Sequence, residues 1–371
     1  MAEIVGTMHV SSSNKGSKYA LCRPSLWRQT AERPLVMKSL THRRFGMLSF
    51  LILTINLLPF KAYTQQVWFA PGDDLSVNGV VSQPDYMRLF DDPATWPVGV
   101  AHIQVMQLRA PWVQRNSPEK WEEATNFLAS HHIAIAMPMG FVASESCGEG
   151  IEGIGTPKSI DFYLRQMKLK GIKLEYITMD EPLFYGHDYK GKNACNFPIS
   201  DLAHIVVANS MRLMRTYFPE VKFFLTEPPQ GLVGGVAELA QFLDALKADF
   251  GEYPAGVRFD MSWGLNDKWH LPWHREMPRM MQMLEQRHLG YGIIFDAGNV
   301  NGHIPNTDAS WIASAKANVR EWQTVIPERP AQVSIQTWSP NPVHIVPESS
   351  PDTMAGFLKW YVQTNASRGA Q

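Results

Sequence analysis

Cysteine is scarce in this sequence and net charge is almost absent. The 371 residues include three cysteines, none in C-x-x-C spacing, so neither a zinc ribbon nor a dithiol redox motif is available. Lysine and arginine together number 34 against 35 acidic residues, a net charge of −1. With no basic excess to hold a phosphate backbone, no nucleic-acid partner is expected. Ala70-Pro71-Gly72-Asp73 follows the first β-rich run, and it is not the G-x-G-x-x-G turn of a dinucleotide fold. The glycines of 148–155 are not followed by Lys-Ser/Thr in P-loop register, so phosphate cradling is not expected there. No cofactor and no metal site are expected.

The apolar run at 47–60, MLSFLILTINLLPF, has 14 residues. That is short for a bilayer span and suits a signal h-region. Lys38, His42, Arg43 and Arg44 precede it and Met37 is a natural start. Residues 37–66 therefore read as a signal peptide, or as a signal anchor that tethers the chain to a membrane, because the A-x-T at Ala62–Thr64 is a weaker cleavage site than A-x-A. Residues 1–36 show no periodicity and read as a leader of doubtful origin. Export permits disulfides, and Cys147 and Cys195 are the two cysteines beyond the signal. They lie in loops after neighbouring strands, which makes a bridge between those loops reasonable.

From 67 onward, apolar β-rich runs alternate with amphipathic helical stretches. The strands are expected at 67–70, 102–108, 133–139, 173–179, 221–226, 257–261, 292–295 and 332–337. Helices are expected at 118–131, 159–170, 200–218, 236–250, 277–288, 309–325 and 351–362, with a short first crossover at 83–92. Ser117-Pro118 and Thr156-Pro157 are N-cap and first-turn pairs, and Gly171 is a helix stop. Eight strand–helix units without a dividing linker argue one domain, 67–371, of the α/β class: a closed (β/α)8 barrel, with an open doubly wound sheet as the alternative.

Barrel chemistry sits at the C-terminal strand ends. Those ends carry Asp73 and Asp74, Arg109, Asp180 and Glu181, Glu227, Asp260 with Trp263, Asp296, and Gln336 with Trp338. Strand-end acids also cap helices or pair with basic side chains, and for each of Asp73, Asp74 and Asp260 that structural role weighs as much as a functional one. Glu181 and Glu227 each precede a proline, which disfavours helical geometry for them. Two carboxyl groups are what glycoside cleavage needs. The twelve tryptophans supply core, and also flat apolar faces that match a pyranose ring.

This pattern resembles the TIM-barrel glycoside hydrolases. In their largest clan an acid/base Glu ends strand four, typically as Asn-Glu-Pro, a nucleophilic Glu ends strand seven, and a Trp often ends strand eight. Here Asp180-Glu181-Pro182 ends strand four and Trp338 ends strand eight, while Asp296 replaces the Glu of strand seven. The Asp180-Glu181 pair is also similar to that of the substrate-assisted hexosaminidases. The resemblance implies a glycosidase acting on an oligo- or polysaccharide, with Glu181 as acid and Asp296 or Glu227 as nucleophile or base. Asp73, Arg109, Asp180, Asp260, Trp263, Gln336 and Trp338 then bind substrate.

Two rival readings stand beside it. One is a divalent-metal isomerase or lyase using Glu181, Glu227 and Asp260. The other is a glycan-binding barrel without turnover. The loop with Tyr185, His187, Asp188 and Tyr189 reads as cleft wall or scaffold. His131-His132 reads as a helix end, and Met277, Met280, Met281 and Met283 as helix core. Trp269, His270, Trp273 and His274 line either a cleft or a packed surface.

Overall fold

The structure is a computed structural model that describes residues 65–77, 80–261, 263, 273–298 and 305–366. Eight parallel strands close on themselves. They are β1 (Gln66–Ala70), β2 (Val105–Gln107), β3 (Ala134–Met139), β4 (Leu174–Asp180), β5 (Lys222–Glu227), β6 (Gly256–Phe259), β7 (Gly290–Phe295) and β8 (Gln332–Gln336). Closure runs through β1, whose Trp68 is in register with Val105 on one side and Ser334 on the other. The fold is a (β/α)8 barrel, as the alternation of strand and helix signals predicts. The leader and the 47–60 apolar run lie outside the described residues, but Gln66, placed at the end of the signal segment, already pairs with Gln332 in β1. Among the described residues no helix is long and apolar enough to cross a membrane.

Two apolar layers hold the barrel. Inside it, Trp68, Val105, Ala136, Tyr176 and Phe224 form one cluster, with Trp68 5.0 Å from Tyr176 and 5.2 Å from Phe224 between ring centroids. Phe224 fills the space that a side chain on the next strand would occupy: a Cβ on Gly256 would lie 2.7 Å from its ring. Outside, the opposite strand faces pack against the helices, with Phe223 and Leu225 of β5 in that larger cluster. Residues two apart on a strand share a face, and this alternation decides which strand-end acids look inward.

Local signals set the helix ends. Ser117 caps Pro118–Ser130, and Thr156 forms a capping box with Ser159 before Pro157–Leu169. Gly171 takes φ +68° after that helix, the left-handed geometry that glycine adopts without strain. Other boundaries move. His102 ends a helix, Pro97–His102, instead of opening a strand. The carboxylate that receives the N–H groups of Val98 and Gly99, at 2.9 and 3.1 Å, belongs to the distant Glu348, so no local cap marks that helix. The 200–218 helix is two pieces, Ile199–Val206 and Arg212–Tyr217, joined by a π-turn at Val207–Met211. The helix expected at 277–288 begins early, at Trp273, and the last begins late, as Met354–Ala366.

Candidate active site

Strand parity sorts the acids. On β5, Glu227 follows Phe223 and Leu225 on the helix-facing side, whereas Phe224 and Thr226 face inward. On β4, Asp180 continues the inward series of Tyr176 and Thr178. Asp260 lies two residues beyond Arg258, and Asp296 two beyond Ile294, in the same inward rows. Asp180, Asp260 and Asp296 therefore ring the inner mouth, and Glu227 lies behind the wall.

Glu227 is fully buried. Its Oε1 accepts the N–H of Leu183 at 2.8 Å and its Oε2 that of Phe184 at 3.1 Å. These are backbone donors at the start of the turn after β4. Burial pushes the Glu227 carboxyl well above the usual range, against the pull of the two N–H donors. Both oxygens are committed to the fold. The sequence reading that places Glu227 among the reacting carboxyls, or among three metal ligands, meets this geometry, in which both of its oxygens hold the turn.

Glu181 sits on that turn. Its N–H donates to Thr226 O at 3.0 Å, extending the β4–β5 ladder by one residue, and its carbonyl accepts the N–H of Tyr185 at 3.0 Å. Between these bonds its φ is +47°. A left-handed glutamate costs on the order of 1–3 kcal/mol and persists only where its surroundings dictate it. Pro182 cannot donate a backbone hydrogen bond, so the grip falls on Leu183 and Phe184. Burial, then Asp260, Asp180, Glu227 and Glu152, all push the Glu181 carboxyl well above the usual range.

Two of the inward aspartates, Asp180 and Asp260, share a buried counter-charge. Arg258 is buried in the barrel interior, with Nη2 donating to Gln107 Oε1 at 3.1 Å and the guanidinium over Trp68 at 5.3 Å. Among the described residues its Nη1 has no hydrogen-bond partner. Burial lowers its pKa to about 10, while Asp260 and Asp180 hold it up. In return it restrains those two, which burial raises: Asp180 to about 7, with Glu152 and Asp260 adding, and Asp260 to about 8, with Asp296 adding. Asp296 rises to about 7 by burial, although its Oδ1 accepts Gly298 N–H at 3.0 Å. One fixed cation among so many carboxyls leaves most of them competing for protons.

Glu152 reaches the ring from the loop after β3. It is exposed, and the Tyr185 hydroxyl donates to it at 3.0 Å. A disulfide, Cys147–Cys195, joins this loop to the one after β4 with Cα atoms 5.2 Å apart, the pair expected from the sequence. Gly148 N–H donates to Asn193 O at 2.8 Å beside it. Gly153, at φ +71°, lies so close to the Asp180 carbonyl that any Cβ would collide with it. Glu152, Arg258 and Gln107 were not among the sequence candidates. A charged residue in the middle of the apolar β6 run was the available signal for Arg258.

The remaining candidates divide. Trp338 is 44% exposed at the end of β8, an open ring face at the mouth. Trp263 is 1% exposed, its ring stacked on Phe295 at 5.9 Å and its indole N–H donating to Ile294 O at 3.2 Å. It is a core residue, and its face is closed to a sugar. Gln336 is buried on the inner face of β8 and accepts the Ser334 hydroxyl at 3.2 Å. Asp73 accepts Leu75 N–H at 2.9 Å and lies 3.7 Å from the half-exposed Arg109. Asp74 is held by Trp112 Nε1 at 2.8 Å and Lys120 Nζ at 2.5 Å, a scaffold role. Trp273 is buried, as are Met277, Met280 and Met283. Trp269 and His270 lie outside the described residues.

No family model matches the sequence, and no curated protein matches it. Solved structures similar to this chain include three xylanases. The endo-1,4-beta-xylanase from Caldicellulosiruptor owensensis is 12% identical, over 76% of this chain and 89% of that one, at TM-score 0.44. Xylanase 10B from Thermotoga maritima is 10% identical, over 81% and 96%, at TM-score 0.48. The endo-1,4-beta-xylanase of Penicillium canescens is 11% identical, over 79% and 94%, at TM-score 0.44. Likeness at this level brings neither substrate nor chemistry to this chain.

Proposed function

We propose that the barrel hydrolyses a glycosidic bond in an oligo- or polysaccharide, with Glu181 as general acid. The observation that carries this reading is the state of Glu181. It is held in left-handed geometry at the end of β4, its turn gripped through Glu227, and burial and negative charge push its carboxyl well above the usual range. A leaving-group oxygen needs a proton donor that is still protonated near neutral pH. Asp296 acts as nucleophile or base, and Asp260 shares its proton. Near neutrality the pair carries charge on one member, which is the form that attacks or activates water. Trp338 offers its exposed face to a sugar ring. Asp180, Arg109, Asp73 and Gln336 complete the polar lining.

An isomerase or lyase with a metal on Glu181, Glu227 and Asp260 is disfavoured, because both Glu227 oxygens accept backbone N–H groups. We also infer that the chain is exported through the 37–66 segment, a reading supported by the Cys147–Cys195 bridge. The test of function is a screen of polysaccharides and aryl glycosides with the wild type beside Glu181→Gln. Turnover of a glycan by the wild type and its loss in the variant supports the assignment. Binding without turnover points to a lectin-like barrel, and equal rates make Glu181 structural.

A further inference from the structure

Behind the wall of the mouth, three side chains face one another with too little positive charge among them. His187 Nε2 lies 3.1 Å from Glu238 Oε1. The other ring nitrogen, Nδ1, donates to the carbonyl of Phe197 at 2.5 Å. A carbonyl only accepts, so Nδ1 carries the hydrogen, and in neutral histidine Nε2 then presents a lone pair. That lone pair points at a carboxylate. Asp188 joins them: one atom each from His187, Asp188 and Glu238 lies within 4.8 Å of the other two.

The far side of each carboxylate is already fixed. Asp188 Oδ2 accepts Val233 N–H at 3.1 Å, and Glu238 Oε2 accepts Gly234 N–H at 2.9 Å. Lys190, two residues beyond Asp188, is spent on His187 O and Asn196 Oδ1, at 2.9 and 2.7 Å. Among the described residues no lysine or arginine pairs with Asp188 or Glu238. Asp188 and Glu238 are both buried. Three inward-facing acceptors therefore lack two positive charges, which either two protons or one dication supplies.

We propose that His187, Asp188 and Glu238 bind one divalent transition-metal ion of the zinc class. Nitrogen and carboxylate oxygen donors suit it, and donors on a tetrahedral ion stand about 3.3 Å apart, close to the His187–Glu238 separation. The Nδ1–H bond to a backbone carbonyl is the orienting contact that metal-bound imidazoles generally make. His187 is part-exposed and leaves an entry path. The ion would join Phe184–Asp188 to the start of Gly235–Phe250 and brace the turn that Glu227 also grips. This site is separate from the acid ring and stands whether or not the barrel cleaves sugars.

The test is calorimetric titration of zinc chloride into the metal-stripped, disulfide-intact full chain, repeated on His187→Gln, Asp188→Asn and Glu238→Gln. Glu238→Gln keeps an acceptor for Gly234 and loses the ligand, so it reads the site even where His187→Gln fails to fold. The expected result is saturable binding of about one zinc per chain, weakened roughly tenfold or more in each folded variant, with zinc raising the Tm of the wild type only. Absence of saturable binding overturns the proposal, since protons then fill the deficit. Binding that the variants leave unchanged also overturns it, since the zinc then sits elsewhere, on the acid ring or on Cys22.

Discussion

The carboxylate of Glu227 accepts the backbone N–H of Leu183 at 2.8 Å, and so ties the end of β5 to the turn immediately beyond Glu181. Glu227→Gln retains one acceptor and sets an NH2 against the other backbone N–H. We expect a stability loss of about 1–3 kcal/mol, together with a fall in kcat larger than the change in KM, because the acid is displaced and the binding surface is not. Denaturant unfolding beside steady-state kinetics checks both. Unchanged stability with abolished turnover would instead make Glu227 a reacting group.

Glu181→Gln keeps the size of the side chain and removes its proton. The rate on a natural glycan should fall by roughly 10²–10⁴, while aryl glycosides with good leaving groups should be affected far less. Equal losses on both substrate types would remove Glu181 from the acid role.

Stability should fall as pH rises through neutrality. Asp180, Asp260 and Asp296 hold their protons to about 7, about 8 and about 7, against about 3.9 in an unfolded chain. Between those limits the folded state binds more protons, so unfolding releases them and a higher pH favours it. The contribution is complete below about pH 4 and gone above about pH 8. Asp260→Asn should therefore gain on the wild type in stability from pH 5 to pH 9, and the acid limb of its activity profile should move to lower pH as Asp296 ionises more readily. A pH-independent difference in melting temperature would refute the shared titration.

Cys147 and Cys195 are 48 residues apart. Closing a loop of that length stabilises a fold by about 4 kcal/mol in the chain-entropy treatment, and by less where the unfolded chain retains structure. The double serine variant should lose about 2–4 kcal/mol in urea unfolding. It should also lose activity under conditions where it remains folded, because Glu152 rides on the bridged loop. Full activity in the folded variant would take Glu152 out of the site.

The two strand-end tryptophans should separate cleanly. Trp338→Ala should raise KM for a glycan and leave the Tm nearly unchanged, whereas Trp263→Ala should cost about 3–5 kcal/mol of stability. A melting curve and one substrate titration per variant suffice. The reverse pattern would exchange their roles.

Much of the barrel is written locally: Ser117, Thr156 and Gly171 mark helix ends within a few residues, and each strand is a short apolar run. The strand-end placement of Glu181 and Asp296 is legible for the same reason, since each follows its strand directly. The Glu-Pro step that Glu227 shares with Glu181 says nothing about facing. The spacing of Glu227 from Phe223 and Leu225 does, and two-residue periodicity turns it outward. Trp263 looks like a sugar platform until Phe295 and Ile294 are seen to cover it, contacts made by another strand. The left-handed φ of Glu181 and the arrival of Glu152 depend on long-range hydrogen bonds and a disulfide, and no local pattern announces them.

Asp180, Asp260 and Asp296 hold their protons into the neutral range. The mouth therefore carries a fractional load of exchangeable hydrogen near neutrality. An uncharged sugar that displaces water there deepens the burial of every carboxyl, and burial favours the neutral form. Ligand entry is thereby coupled to net proton uptake. The heat of binding near pH 7 will depend on the ionisation enthalpy of the buffer, and that dependence counts the protons the ligand draws in.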